Sequence, residues 1–442
     1  MRSLHCITVA ALLLVAAPGH AQTAPAPAPG PAQPSPALSK RVAELPALLR
    51  GEVAYEDYFA PGFRNAIPKE KFVEVTAQLV AANGAVQSVE SVTPRTPDTA
   101  ELKLGFANGV ADVAIAVDPA APNQVTGLRV SGFAARAASM DAVAAQLKAL
   151  PGTTGFAFAK LGSGAPQLIN AQDADRPLAI GSAFKLVILA ELVRSINAGE
   201  RQWSDKVTLD GSPLPGGTYT MMPKGSQFTL REIAERMISI SDNSATDILL
   251  GYLGRAKVEA MLLVVGVQAA ARNRPYLSTL EMFKLKGVDK GALGDRWIAA
   301  DEAGRRAMLT ELDARPIADI DPQLFKDGKP LHIDTIEWFF SAADLVRTMD
   351  WLRRNTEGPS GAEARAILSK NPGIGPAAAG HWAWVGYKGG SETGVMNMTL
   401  LLQAKTGDWY ALAGSWNDTA AGVDEARFIG LMTRATELAL PH

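Results

Sequence analysis

Cysteine is almost missing from this 442-residue sequence: the single one, Cys6, lies inside an apolar leader. Beyond that leader there is no thiol nucleophile, no disulfide and no lipid-anchoring cysteine, so a chain of this length has to rely on its cores. Histidine is scarce as well. After His5 and His20 of the leader only His332, His381 and His442 remain, with no H-E-x-x-H or H-x-H, which removes a sequence-local zinc cluster. Charge of one sign is also lacking: 43 basic against 45 acidic residues leave a net charge of −2, without a basic arm to hold nucleic acid. No G-x-S-x-G elbow, G-x-x-x-x-G-K-[ST] loop or dinucleotide fingerprint occurs. An α/β-hydrolase triad and nucleotide chemistry are therefore set aside, and no cofactor or metal is expected.

What is present describes an ordinary globular chain, 47% hydrophobic and 20% charged, long enough for two domains. Arg2, the apolar run Ile7–Ala17 and the small residues Gly19-His20-Ala21 read as a secretory signal peptide over residues 1–21. That implies export to the periplasm or the exterior, with an apolar run too short to leave a membrane span after cleavage. Residues 22–37, QTAPAPAPGPAQPSPA, read as a Pro/Ala-rich linker.

Residues 38–133 read as a small α+β domain. Phe72, Val75 and Leu79 recur at helical spacing and Asn83-Gly84 stops that helix. Leu102/Leu104/Phe106 and Val113/Ile115/Val117 alternate on either side of Asn108-Gly109, a β-hairpin pattern, and strands near 85–92 and 125–131 complete a sheet. Tyr55, Glu56, Asp57 and Tyr58 suit a helix surface, or the mouth of a cavity. Helices followed by a curved antiparallel sheet resemble the NTF2-like (cystatin-like) fold, here read as a structural or docking module.

From residue 135 to 442 the pattern is that of a mixed domain. A helix over 140–150, strands near 154–160 and 165–170, and late strands near 382–388, 395–404 and 409–415 bracket a helical middle, with a closing helix from Val423. "SAFKLVILAELVRSI" is apolar nearly all round and predicts a buried helix. Thr229-Leu230-Arg231-Glu232 is a capping box opening a helix through Ile240, and a second helix runs from Ser244 to Tyr252.

Three short stretches carry chemistry. Ser182 and Lys185 open the buried helix three residues apart, so they share a face. A lysine among Phe184, Leu186, Val187 and Ile188 loses its charge readily and suits a base for an adjacent serine. Ser241-Asp242-Asn243 falls between two predicted helices, with all three side chains in reach of a cleft. Lys388-Gly389-Gly390-Ser391 ends the apolar strand "HWAWVGY". Taken singly, each has a plain structural reading: a helix cap with a surface-reaching lysine, turn residues, and a glycine turn.

Jointly and in this order, they make residues 135–442 resemble the class A β-lactamase and penicillin-binding superfamily of serine hydrolases. The resemblance implies a β-lactamase/transpeptidase-like domain, an antiparallel sheet flanked by helices, behind the NTF2-like module. It implies Ser182 as the acylated nucleophile and Lys185 as base or relay. Ser241 would pass a proton to the leaving nitrogen, and Asn243 would position the substrate amide. Lys388 would face a substrate carboxylate, and the N–H groups of Ser182 and Ser391 would hold the oxyanion. Gly390 would let substrate approach the strand closely. Small-molecule β-lactams are the leading substrate class. An esterase, a D-amino-acid peptidase of penicillin-binding type, and a catalytically weak binding homologue are the alternatives.

The sequence departs from the family pattern twice. Gly389 stands where a hydroxyl residue usually follows the lysine, and no acidic residue with Asn four positions later is present to activate a deacylating water. Glu281 and Glu392 are the nearest candidates, although Ser278-Thr279-Leu280-Glu281 is itself a capping box. A literal Lys405-Thr406-Gly407 also occurs, but between two strands it reads as a hairpin tip, so Lys388 is taken as the motif lysine.

Overall fold

The computed structural model describes residues 33–440 apart from 325 and 327, so the expected signal peptide and most of the linker lie outside the described residues. The described residues divide into two compact units, with the boundary between Phe133 and Ala134.

In the first unit, Ser35 caps helix α1 (Pro36–Leu49) by accepting from Leu38 N at 3.0 Å. The last two residues assigned to the linker are thus helical, because Ser-Pro is itself a helix start: a side-chain cap followed by a residue with preset φ. Helix α2 (Lys69–Asn83) ends at Gly84, whose φ of +78° is left-handed territory. Four strands, β1 (Val86–Thr96), β2 (Thr99–Phe106), β3 (Gly109–Val117) and β4 (Val125–Ala135), form an antiparallel meander in sequence order. On β3 every second residue is buried, and Val113, Ile115 and Val117 meet Leu102, Leu104 and Leu45 in one core. Tyr55 and Tyr58, expected on a helix surface, lie in that core instead. Only Glu56 and Asp57 between them face water; Tyr58 Oη donates to Arg41 O at 2.7 Å and Tyr55 Oη to the Ile67 carbonyl. A four-residue helix turns residues three apart to the same side, and here that side is apolar.

The second unit is built on a five-stranded antiparallel sheet of β5 (Thr153–Leu161), β6 (Gln167–Gln172), β7 (Trp384–Glu392), β8 (Val395–Gln403) and β9 (Trp409–Asn417), ordered β7-β8-β9-β5-β6. Strands from both ends of the unit pair directly, β5 with β9, so β7 is left as an edge strand. One face offers Ala157, Ala159, Ala411 and Ala413 to a core shared with α4 (Lys185–Asn197) and α8 (Ala342–Asn355), defined in chain order with α3 (Met140–Lys148), α5 (Leu230–Ser239), α6 (Asn243–Leu253) and α7 (Thr279–Gly287). The opposite face meets α9 (Glu425–Leu438), whose Met432 and Phe428 close over Gly414. The capping boxes at Thr229 and Ser278 are both formed. No helix among the described residues is long and apolar enough to cross a membrane.

Burial also encloses a three-charge cluster. Lys286 Nζ lies 2.6 Å from Glu392 Oε1 and 3.4 Å from Glu337 Oε1, with the Lys286 and Glu337 side chains fully buried. Burial, opposed by Lys286 and reinforced by Glu337, pushes the Glu392 carboxyl up to about 8. Lys286 itself is held above the ordinary lysine range, since the two carboxylates outweigh the burial that opposes its charge. Replacing it, Lys286→Met, leaves two buried carboxyls without a cation and is expected to cost about 3–5 kcal/mol, read as a lower urea midpoint. The sign follows from Glu392: a carboxyl raised in the folded state opposes folding as pH climbs from its ordinary 4.5 toward 8. The deficit of the variant therefore narrows on acidification.

Candidate active site

The turn that presents Ser182 is held from behind by aromatic rings. Phe184 stacks on Trp338 with centroids 3.6 Å apart, and Tyr276 Oη donates to Phe184 O at 2.7 Å. Residues Gly181–Phe184 form a 3-10 turn that leads into α4 at Lys185, where α-helix was expected from Ser182 onward. At three residues per turn, Ser182 and Lys185 stack one above the other. Lys185 is 0% exposed, so it does not reach the surface. Its Nζ donates to Ser241 O at 2.7 Å and Asn243 Oδ1 at 2.8 Å, and lies 3.2 Å from Ser241 Oγ. Among the described residues it has no hydrogen bond to Ser182.

Ser241 is the centre of this network. Its φ of +59° is left-handed, a conformation costly for a residue with a Cβ. That bend, between α5 and α6, aims both its carbonyl and its hydroxyl at the buried lysines: Lys388 Nζ donates to Ser241 Oγ at 3.0 Å and to Gly389 O at 2.6 Å. Asp242 does not join them in the cleft. It caps α6, accepting from Ala245 N at 2.8 Å, Ser244 Oγ at 2.6 Å and Thr218 N at 2.6 Å. The capping position of α6 turns this side chain inward, which the triplet alone did not reveal.

The two lysines are electrostatically unusual. Burial pushes Lys185 down to about 7, with Asp247 and Asp242 pulling the other way. Burial first, then the neighbouring Lys185, holds Lys388 well below the ordinary lysine range. Asp247 is fastened by the N–H groups of Thr279 (2.7 Å) and Leu280 (2.9 Å), tying α6 to the start of α7. Protonated below about 7, Lys185 cannot take a proton; above it, the free amine can. Any acylation that uses Lys185 as base is therefore expected to rise from acid pH through about 7 and then level off, as a pH profile of labelling rate would display.

Strand β7 meets the Ser182 turn backbone to backbone. A Cβ on Gly390 would stand 2.0 Å from Ile180 O and 2.2 Å from Ser182 N, and one on Gly181 would stand 2.8 Å from Ser391 N. Glycine at both positions is what lets the two backbones approach this closely. Ser182 beside this contact is half-buried and Ser391 exposed.

The remaining sequence candidates lie elsewhere. Glu281 caps α7, accepting from Ser278 N at 2.7 Å, and takes a bidentate Arg255 at 2.7 and 3.0 Å. Glu392 is tied to Lys286. Lys405 is exposed in the loop between β8 and β9, where Gly407 has φ +94° and Thr406 Oγ1 bonds Asp408 at 2.9 Å. The supports Tyr276, Trp338 and Asp247 were not foreseen; nothing in their local sequence distinguishes them from core residues.

A family profile described as the β-lactamase enzyme family matches residues 137–318, a span containing Ser182, Lys185, Ser241 and Asn243 and ending before Lys388. Among solved structures, the chain is similar to a β-lactamase from Sphaerobacter thermophilus, at 20% identity over 68% of this chain and 98% of that one, with a TM-score of 0.46. A β-lactamase from Chitinophaga pinensis is similar at 17% identity, 67% and 95% coverage and TM-score 0.45. The protein PBP-A is similar at 19% identity, 67% and 95% coverage and TM-score 0.45. Among curated proteins no match to the chain is found.

Proposed function

We propose that the second unit is a β-lactamase-like serine hydrolase and that the chain is exported and forms an acyl-enzyme on Ser182, with β-lactams as its leading substrates; the match of residues 137–318 to the β-lactamase enzyme family supports this reading. The observation that carries this reading is Ser241 Oγ, held 3.2 and 3.0 Å from two buried lysines beside the Ser182 turn. Ser182 Oγ attacks the lactam carbonyl carbon and gives its proton to the free amine of Lys185. The N–H groups of Ser182 and Ser391 hold the resulting oxyanion. As the C–N bond breaks, the proton passes from Lys185 through Ser241 to the leaving nitrogen. Asn243 receives the substrate amide, and Lys388 supplies charge opposite a substrate carboxylate. The small unit is read as NTF2-like, supported by its helices preceding a four-stranded meander, and the apolar leader supports export.

One observation favours slow release of the acyl group. Glu281 is engaged by Arg255 and Glu392 by Lys286, so neither is free to activate a water at Ser182. This supports, as second reading, a penicillin-binding-type peptidase whose lactam adduct persists; an esterase, which needs the same release step, is kept as an outcome of the test. To test both, the protein is incubated with a chromogenic cephalosporin, benzylpenicillin and p-nitrophenyl acetate while colour, intact mass and the labelled peptide are followed. Cephalosporin turnover supports a β-lactamase. A lasting penicillin adduct on the Ser182 peptide supports the penicillin-binding type, and ester cleavage alone supports an esterase. Absence of both adduct and turnover sinks the lactam reading.

A further inference from the structure

Main-chain contact at Gly390 and Gly181 sets how closely β7 and the Ser182 turn can approach, yet contact alone does not stop them parting. Strand β7 is an edge strand, with a ladder partner only in β8. Among the described residues no main-chain hydrogen bond joins it to the turn. The buried Lys286 cluster lies across that gap. Side chains alternate along a strand, so Glu392 projects from β7 on the same face as Lys388 and Gly390, the face that meets the turn. It directly follows Ser391. On the other side, Glu337 directly precedes Trp338, and its Oε2 accepts from Trp338 N at 3.2 Å. Trp338 in turn grips both ends of the Ser182 turn: its carbonyl accepts from Ile180 N at 3.1 Å, and its ring stacks on Phe184. Lys286, in the last turn of α7, stands between the two carboxyls, 2.6 Å from Glu392 and 3.4 Å from Glu337. Away from water its attraction to both is strong and directional.

We propose that Lys286, Glu337 and Glu392 are positioning residues for the oxyanion site, a three-charge clamp that keeps the Ser391 amide on β7 against the Ser182 amide of the turn. The assignment rests on the acyl-enzyme reading above, which gives those two amides to the oxyanion. For stability alone such a cluster is a poor choice, since buried ion clusters replaced by uncharged side chains of similar volume often leave a protein as stable or more so. What the replacement removes is the fixed spacing of the two donors, and a misplacement of about 1 Å at a reacting centre is felt in the rate.

The test follows labelling of Ser182 by benzylpenicillin and by p-nitrophenyl acetate, with the concentration dependence separating the acylation constant from the binding constant. Glu392→Leu severs the β7 leg and leaves Lys286 balanced by Glu337. Lys286→Met/Glu337→Gln/Glu392→Gln removes every charge and keeps the volumes. Both variants are expected to keep urea midpoints near the parent's and to acylate about 10–100-fold more slowly, with the binding constant within about twofold. The acid limb of the rate profile is expected to stay centred at about 7, since Lys185 is untouched. A parent-like acylation constant in either variant overturns the proposal, as does a loss confined to the binding constant or a displaced acid limb. A rate that falls only in step with the urea midpoint assigns the cluster to stability alone and overturns it as well. A parent that neither compound labels refutes the hydrolase reading and this proposal with it, whereas a labelled parent with unchanged variants refutes this proposal alone.

Discussion

Alanine at Ser182 is expected to abolish penicillin labelling and to lower any lactam turnover by about 10⁴–10⁶-fold, the range seen when a serine nucleophile is removed from a hydrolase. The expectation follows from placement. Ser182 is half-buried at the turn on which the backbone of β7 closes, through Gly390 and Gly181, and Lys185 stacks one 3-10 turn above it. Among the described residues its hydroxyl takes no hydrogen bond from Lys185, so on the proposed mechanism substrate would have to draw the two together; hydrogen bonds of catalysis often tighten only then. The folded state should tolerate the change, because no described contact depends on the Ser182 hydroxyl. Labelling that persists in the variant, at any residue, would refute Ser182 as nucleophile.

Lys388→Met is expected to reduce the acylation rate by about 10²–10³-fold, the scale of losing one preorganised electrostatic contact, whereas Lys405→Met leaves it within about twofold. The two lysines differ in burial and in what they touch. Lys388 is 3% exposed, holds Ser241 Oγ at 3.0 Å, and pairs across β7–β8 with Thr399. Lys405 is exposed beyond the far end of that ladder, past the Trp384–Gln403 pair. At the rise of a strand, four residues place that end about 13 Å from Lys388. Methionine matches the volume of the lysine stem, so stability is largely kept and the rate is what reports. The opposite ranking in rates would move the motif to Lys405.

These contrasts mark what sequence could convey. Elements with a strong period or a cap were legible: the helix ending at Asn83-Gly84, the hairpin at Asn108-Gly109, the capping boxes at Thr229 and Ser278 and the three late strands all have local causes. Where the signal was a short apolar phase, it was not. Tyr55 and Tyr58 entered the core because four residues are too few to display a face. At the site, spacing alone could pair Ser182 with Lys185, but the 3.0 Å approach of Lys388 to Ser241 joins residues 147 apart in sequence, and only tertiary folding sets it. The left-handed backbone of Ser241, the inward turn of Asp242 and the Lys286–Glu337–Glu392 cluster have no local sequence cause. Glycine-rich "KGGSE" looked like a loosened motif; its glycines are contact points, one for a tyrosine side chain and one for the Ser182 turn.

That last contact limits how the protein can change. The spacing of the Ser182 and Ser391 amides is set by main chain pressed on main chain at Gly181 and Gly390, with no side chain between them to lengthen or shorten. Variation in the surrounding core can loosen the gap but has no graded way to retune it. Adaptation to a new substrate therefore has to proceed at the rim, where side chains are exchangeable. The stretch 211–222, exposed at Met221 and anchored through Thr218 and Tyr219 to the Asp242 and Ser244 that follow Ser241, offers such side chains.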